Sequence, residues 1–246
     1  AEIGRYYETP DYISHSDTHK GLMNRVYHWV RRVMLARKAR LVKHNSRLSQ
    51  GSLLDIGTGT GYFPHFMQER GWHVSAIEKS PQARQFAKEH FELDVAAPEA
   101  LNEFADKSFD VITLWHVMEH LEHLNETWET LKRILKDQGI LIIAVPNPTS
   151  FDAEKYKEMW GAYDVPRHLW HFSPSVMQQF GAKHDFILCE RHPMPFDAFY
   201  VSMLSEKYRK SAFPFLKGLI AGTEAWIVSL AKKDRSSSMI YVFRKK

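Results

Sequence analysis

Residues 53–63, Leu-Leu-Asp-Ile-Gly-Thr-Gly-Thr-Gly-Tyr-Phe, place a carboxylate and three alternate glycines at the end of an apolar run. Asp55 precedes Gly57, Gly59 and Gly61, and helix-forming residues return from Phe63 to Arg70. This order reads as a strand, a tight turn and a helix, the arrangement that brings backbone close to a nucleoside-containing ligand. Glycine suits the turn because a Cβ would block either its positive φ or the ligand itself. A second apolar stretch, His73–Ile77, ends in Glu78, about 20 residues beyond the first glycine. An acid there can accept hydrogen bonds from ribose hydroxyls.

The glycine spacing discriminates between nucleotides. Dinucleotide turns favour Gly-x-Gly-x-x-Gly, with pyrophosphate on the helix N-terminus. Here the third glycine comes one residue early, at Gly61, and Tyr62 stands where that pattern wants glycine. Asp55 lies just before the turn, where its carboxylate would repel a pyrophosphate and attract an ammonium group. The set favours a cationic, phosphate-free nucleoside, and S-adenosylmethionine fits. An ordinary glycine-rich turn explains the glycines but not the two acids.

With these residues the chain resembles the class I S-adenosylmethionine-dependent methyltransferases, over residues 50–192 and the final strand. Further motifs carry the resemblance: Ala76-Ile-Glu-Lys-Ser80, Ser108-Phe-Asp-Val-Ile-Thr-Leu-Trp-His-Val-Met-Glu-His-Leu121 and Leu131-Lys-Arg-Ile-Leu-Lys-Asp-Gln-Gly-Ile-Leu-Ile-Ile-Ala-Val-Pro-Asn147. The stretch Pro166-Arg-His-Leu-Trp-His-Phe-Ser-Pro174 is similar to the small-molecule subset that includes the ubiquinone-type O-methyltransferases. The resemblance implies a Rossmann-like, doubly wound, mostly parallel seven-stranded sheet with an antiparallel last strand. It also implies S-adenosylmethionine as cofactor, S-adenosylhomocysteine as product and a small-molecule acceptor.

Residue by residue, the resemblance implies that Asp55, Gly57, Thr58, Gly59, Gly61 and Tyr62 line the methionine and ribose portion. Glu78 binds the ribose, and Lys79 and Ser80 edge the adenine. Many relatives carry an acid after the third strand for the adenine amino group. Here that region reads Val95-Ala-Ala-Pro-Glu-Ala100, without a clear Gly-Asp, and Glu99 is the candidate. Trp115 and His116 stand at the carboxyl end of the fourth strand, where open parallel sheets bind ligands.

Methyl transfer is an in-line displacement at a carbon already activated by the sulfonium, so the protein mainly aligns the nucleophile. An oxygen acceptor also needs a base to remove its proton. His116, His120 and His168 are the candidates, because imidazole is neutral near physiological pH. Tyr163, Arg167, His168 and Trp170 lie on a loop expected to face the acceptor. His116-Val-Met-Glu-His120 also matches a zinc-hydrolase pattern. It fails here because His116 ends a strand rather than sharing a helix face with His120, so no metal is expected. A non-catalytic S-adenosylmethionine-binding protein or partner subunit is the alternative from another class. A nicotinamide oxidoreductase is disfavoured by Tyr62 and Asp55.

The elements that must position these residues follow from periodicity. The spacing predicts strands at 52–56, 73–77, 91–95, 109–115, 139–145, 186–191 and 239–244, with the last antiparallel. Helices are expected at 21–45, 63–70, 81–90 and 119–136, with another starting at Ser173-Pro174. An arm and basic helix over 1–48 then precede a methyltransferase domain over 49–246. The helix at 21–45 carries Arg25, Arg31, Arg32, Arg37, Lys38, Arg40 and Lys43 and no acid. Relatives usually close the last two strands with a short hairpin. This chain instead has a helical insertion at about 193–236, whose length marks it as structured.

Within the insertion, the apolar run at 213–231 is broken by Pro214, Lys217, Gly218, Gly222 and Glu224. That reads as a lid, a dimer surface or an interfacial helix rather than a bilayer span. The single cysteine, Cys189, excludes an internal disulfide framework and fits a cytoplasmic setting; its run Phe186-Ile-Leu-Cys189 suggests a buried strand residue. Residues 1–20 lack the apolar core of a signal peptide. A net charge of +4 permits an anionic or amphipathic acceptor. No nucleic-acid motif is present. Monomer and homodimer both remain open.

Overall fold

The computed structural model describes residues 22–246, with side chains from His28 onward. The arm expected over residues 1–20 lies outside the described residues. Seven strands form one sheet in the order β3-β2-β1-β4-β5-β7-β6. The chain divides into two compact units: one runs to Thr113 and includes Thr130–Ile140, the other comprises Leu114–Glu129 and Leu141–Lys246.

In the first unit, the basic helix α1 (Leu22–Ser46) leads into β1 (Ser52–Ile56), whose Leu53, Leu54, Asp55 and Ile56 are all buried. β2 (His73–Ile77) runs parallel to β1, pairing Ser52 with His73 and Ile56 with Ile77. β3 shrinks to Val95–Ala96, parallel to the end of β2. Between β1 and β2 lies α2 (Tyr62–Gln68), entered through Gly61 at φ 84. Here glycine is required twice over. Any Cβ would sit at a left-handed φ and 2.9 Å from the Cβ of Ala87. Ala87 belongs to α3 (Pro81–Phe91), which starts from a Ser80 cap and turns its small residues Ala83 and Ala87 inward. β4 (Phe109–Trp115) is buried at every position but Asp110, as a central strand covered on both faces should be. Asp110 is not idle: its carboxylate accepts from the Ser52 N–H at 2.9 Å and Lys136 at 2.8 Å.

α4 (Leu124–Ile134) and β5 (Leu135–Pro146) bridge the sequence between the units. Sequence periodicity places this helix too early, at 119–136, because Met118–His120 forms a separate tight turn. In the second unit, α5 (Phe151–Tyr156) and α6 (Pro174–Lys183) precede an antiparallel pair, β6 (Phe186–Pro193) and β7 (Ser238–Lys245). Trp128 is fully buried against Phe180, Phe186 and Phe243 in edge-on contacts at 5.3–5.5 Å. Cys189 is exposed, not buried as its apolar neighbours suggest. β6 has one solvated face, so Ile187, Cys189 and Arg191 alternate outward, and the register shifts beside Cys189, between Leu188 and Glu190.

The insertion is helical, as expected: α7 (Asp197–Tyr208) and α8 (Pro214–Ala231). They meet through Gly218 and Gly222, where a Cβ would lie 2.6 Å from the Met203 Cα and 2.8 Å from the Phe199 Cα. Their inner side joins Tyr156, Trp160 and Ala162 in one apolar cluster. Among the described residues, no helix is long and apolar enough to cross a membrane.

Candidate active site

The glycine turn is fixed by the end of β2. The N–H groups of Gly57 and Thr58 both donate to the Ile77 carbonyl, at 2.7 and 3.0 Å. That sets the following residue, Glu78, beside the turn. One Glu78 oxygen accepts from the Gly59 N–H and the other from the Ser80 N–H, each at 2.8 Å. An ionised carboxylate offers about four lone-pair sites, so both oxygens can still accept from a diol. Gly59 lies at φ 57, and nothing stands within 4 Å of where its Cβ would be. At Gly59 the turn therefore presents bare backbone toward open space.

Asp55 lies at the bottom of this turn, 1% exposed, and its Oδ1 accepts from the Thr113 hydroxyl at 2.6 Å. Burial raises its carboxyl to about 6, against the Thr113 hydrogen bond and the Lys38 charge that pull it down, while Glu78 adds to the rise. A buried acid held this high lacks a full cationic partner. The basic helix α1 covers the same region: Arg31 stacks over the Tyr62 ring at 3.9 Å, and Lys38 approaches the Phe63 ring. Of the remaining expected cofactor residues, Lys79 is exposed and Ser80 caps α3 by accepting from the Ala83 N–H. Glu99 is exposed on the short turn Pro98–Asn102. Trp115 is buried at the end of β4.

The second unit holds the histidines. His116 leaves β4 at φ 58, a conformation that bulky side chains adopt at a cost and that gathers at functional sites. Its Nδ1 faces Glu119 Oε1 at 3.3 Å and its Nε2 faces Asp197 Oδ2 at 3.0 Å, from the first turn of α7. Burial pulls this imidazolium down, but hydrogen bonds to Asp197 and Glu119 outweigh it and raise the group to about 10. Burial pushes the Glu119 carboxyl up, yet the His116 hydrogen bond and charge hold it below the usual range. The pair is ionised at neutral pH. His116 and His120 do not form a two-histidine helix face, since both His116 nitrogens face carboxylates.

Glu119, His120 and Leu121 dock the loop that carries Tyr163, Arg167, His168 and Trp170. The Glu119 carbonyl accepts from the N–H groups of Leu169 and Trp170, and the Leu121 carbonyl accepts from the Trp170 indole at 2.8 Å. His120 Nδ1 donates to the Arg167 carbonyl at 3.0 Å. His168 Nδ1 donates to the Ala162 carbonyl at 2.8 Å, which makes Nε2 its lone-pair nitrogen. Burial keeps His168 below its ordinary value, so its ring is neutral. The His120 and His168 rings meet edge-on at 4.6 Å, and Glu119, His120 and His168 bring one ligand-capable atom each within 4.8 Å of one another. Arg167 forks onto Asp164, and the Tyr163 carbonyl accepts from His171.

Three residues escape the sequence reading. Thr113 sits mid-strand and Asp197 lies 81 positions from His116. Lys38 appears in the sequence only as one of seven basic residues on the helix at 21–45, with nothing to single it out. Only Glu119, inside the Glu-His-Leu motif, carried a visible signal.

These features define a doubly wound α/β fold with a glycine turn at the end of its first strand, and similarity to known proteins gives its family. The family described as a methyltransferase domain matches residues 26–189. The chain belongs to that family. An uncharacterized methyltransferase of Staphylococcus carnosus is 33% identical over 112 residues, covering 45% of this chain and 53% of that one. The mitochondrial ubiquinone biosynthesis O-methyltransferase of Schizosaccharomyces pombe is 27% identical over 134 residues, 51% of this chain and 49% of that one. The chain spans about half the length of the curated relatives it matches. In three dimensions it is similar to a SAM-dependent methyltransferase from Archaeoglobus fulgidus, with a TM-score of 0.57 at 19% identity over 87% of this chain and 94% of that one. The fold is therefore the expected seven-stranded, Rossmann-like one.

Proposed function

We propose that this chain transfers the methyl group of S-adenosylmethionine to an oxygen of a small-molecule acceptor. The observation that carries the reading is the pair of buried carboxylates, Asp55 and Glu78, beside a turn whose Gly59 leaves open space where a side chain would stand. S-adenosylmethionine fits that donor set. Glu78, pinned by two N–H groups, retains acceptor capacity for a ribose diol. Asp55, beside the Thr113 and Thr58 hydroxyls, still has the high proton affinity of an acid awaiting a cation. A pyrophosphate would instead meet a carboxylate.

When bound, the cofactor supplies an electrophilic methyl on a sulfonium. The chain's residues then bind, orient and move one proton. Asp55 holds the ammonium of the methionine portion, and Glu78 holds the ribose. His168, neutral and with Nδ1–H fixed on the Ala162 carbonyl, takes the acceptor's proton on Nε2. His116 is already protonated, so its role is to position Glu119 and α7 rather than to act as a base. His120 fixes the loop that carries His168. An oxygen acceptor agrees with a neutral imidazole base, and the Schizosaccharomyces relative is named an O-methyltransferase.

Calorimetry with S-adenosylmethionine, S-adenosylhomocysteine and NAD tests the assignment. Binding of the two sulfur nucleosides without NAD is expected; binding of NAD alone overturns it. The pH dependence adds a signature. Asp55 titrates near 6 in the free folded chain, above its ordinary 3.8, so the free fold loses stability as pH rises from about 4 through 6. Cofactor binding has the opposite sign, because the ammonium needs the ionised acid. Affinity should be flat above pH 7 and fall toward tenfold per pH unit below about 6. Asp55→Asn should bind more weakly and without that slope. A wild-type affinity unchanged down to pH 5 removes Asp55 from the ammonium site.

A further inference from the structure

α8 is amphipathic in an inverted sense. Its buried side is made of small residues, Gly218, Ala221, Gly222, Ala225 and Ser229, fitted closely against α7. Its bulky residues point the other way: Phe215, Leu216, Leu219, Ile220, Ile227 and Leu230 are each 43–62% exposed. On a helix turning about 100° per residue these six fall within one arc of roughly 140°. Phe213, just before the helix, is 68% exposed and extends the patch. Such a face is costly in water unless something covers it.

The charge around the face states what covers it. From residue 207 to 233 the chain carries six basic side chains, Lys207, Arg209, Lys210, Lys217, Lys232 and Lys233, against one acid, Glu224. Glu224 is ion-paired with Lys155. This segment alone exceeds the +4 net charge of the whole chain. All six basic residues are exposed, although Arg209 donates to the Lys155 carbonyl and lies over the Tyr156 ring; Lys232 and Lys233 line an open hollow of about 430 Å³ with Arg191 and Asp234. An apolar face with a lysine rim matches an anionic bilayer, whose acyl boundary accepts the first and whose phosphates accept the second. A second copy fits poorly, since two-fold pairing would set each lysine rim against another. A spanning mode is closed by the same helix being too short and too interrupted.

We propose that α8 docks this protein, bulky face down, into the interface of an anionic lipid bilayer. This goes beyond methyl transfer and stands without it. Lys217, on the flank of the apolar arc, reaches the headgroups while its stem lies along the acyl boundary. The connection before the last strand is thereby a membrane anchor that does not cross the membrane.

Flotation of the full chain with vesicles of phosphatidylcholine, and of phosphatidylcholine with an equal part of phosphatidylglycerol, tests this. Binding to the mixed vesicles is expected, at least about tenfold stronger than to the neutral ones and weakened by salt. Phe215→Ser with Leu219→Ser and Ile227→Ser should abolish it while the chain stays folded, because these side chains are about half exposed and lie off the buried side of α8. Lys232→Glu with Lys233→Glu should weaken it about tenfold or more while leaving the fold intact. Failure to bind mixed vesicles, equal binding to both compositions, or full binding by either variant overturns the proposal. So does a halving of particle mass in the serine variant on size exclusion, which would assign the face to a second copy. Loss of vesicle binding on removing residues 1–21 also overturns it, by assigning the binding to that segment.

Discussion

Replacing Glu78 with alanine should weaken S-adenosylmethionine binding by at least about 100-fold. Two ribose hydroxyls donating to a buried carboxylate are worth about 1.5–3 kcal/mol each, and 1.4 kcal/mol is a factor of ten. The change also frees the N–H groups of Gly59 and Ser80, which loosens the turn and the start of α3. Glu78→Gln separates the two effects. Its one carbonyl oxygen still accepts from backbone, but its amide nitrogen cannot accept from a hydroxyl. Calorimetry should rank the wild type above glutamine and glutamine above alanine. A Glu78→Ala protein that binds S-adenosylmethionine within threefold of the wild type would remove the ribose assignment.

His168→Ala should lower kcat for an oxygen acceptor by about 10²–10⁴, the usual worth of a positioned base. Cofactor affinity should stay within about twofold, since the proposed cofactor contacts are made by Asp55 and Glu78 and not by His168. The pH profile carries an independent mark. Burial holds His168 below its ordinary 6.5, so the ring is deprotonated at neutral pH and activity should be flat upward from there. The acid limb should fall below pH 6.5 as the ring takes its proton. An alanine variant with wild-type kcat, or a profile that rises between pH 7 and 9, leaves methyl transfer without an imidazole base. His116 cannot supply that acid limb, because Asp197 and Glu119 keep it charged through the neutral range.

What the sequence made legible depended on locality. β1, β2 and β4 were readable to the residue because each is a continuous apolar run closed by a turn signal. The glycine turn and Glu78 were readable because their spacing is short and chemically distinctive. The start of β5 was not: Leu135–Gln138 is polar enough to pass for the end of a helix, yet it is already strand. β3 was placed across 91–95, but Glu92 takes a left-handed conformation that ends α3, so pairing waits until Val95. The state of His116 was hidden for another reason. Its charge is set by Asp197, and no periodicity links a strand end to the first turn of a helix 81 positions later. Cys189 failed similarly, since solvation of one face of β6 depends on which strand occupies the sheet's edge.

The two ends of the insertion meet. Pro193 pairs with Met239, and the Met194 N–H donates to the Ser238 carbonyl at 3.0 Å. Residues 195–237 thus leave and rejoin the sheet at adjacent points, so any replacement joins the same two strands but must also cover Tyr156, Trp160 and Ala162. Any exchange of that segment replaces Asp197 as well, so a change of outer surface and a change in the charge of His116 arrive in one genetic event.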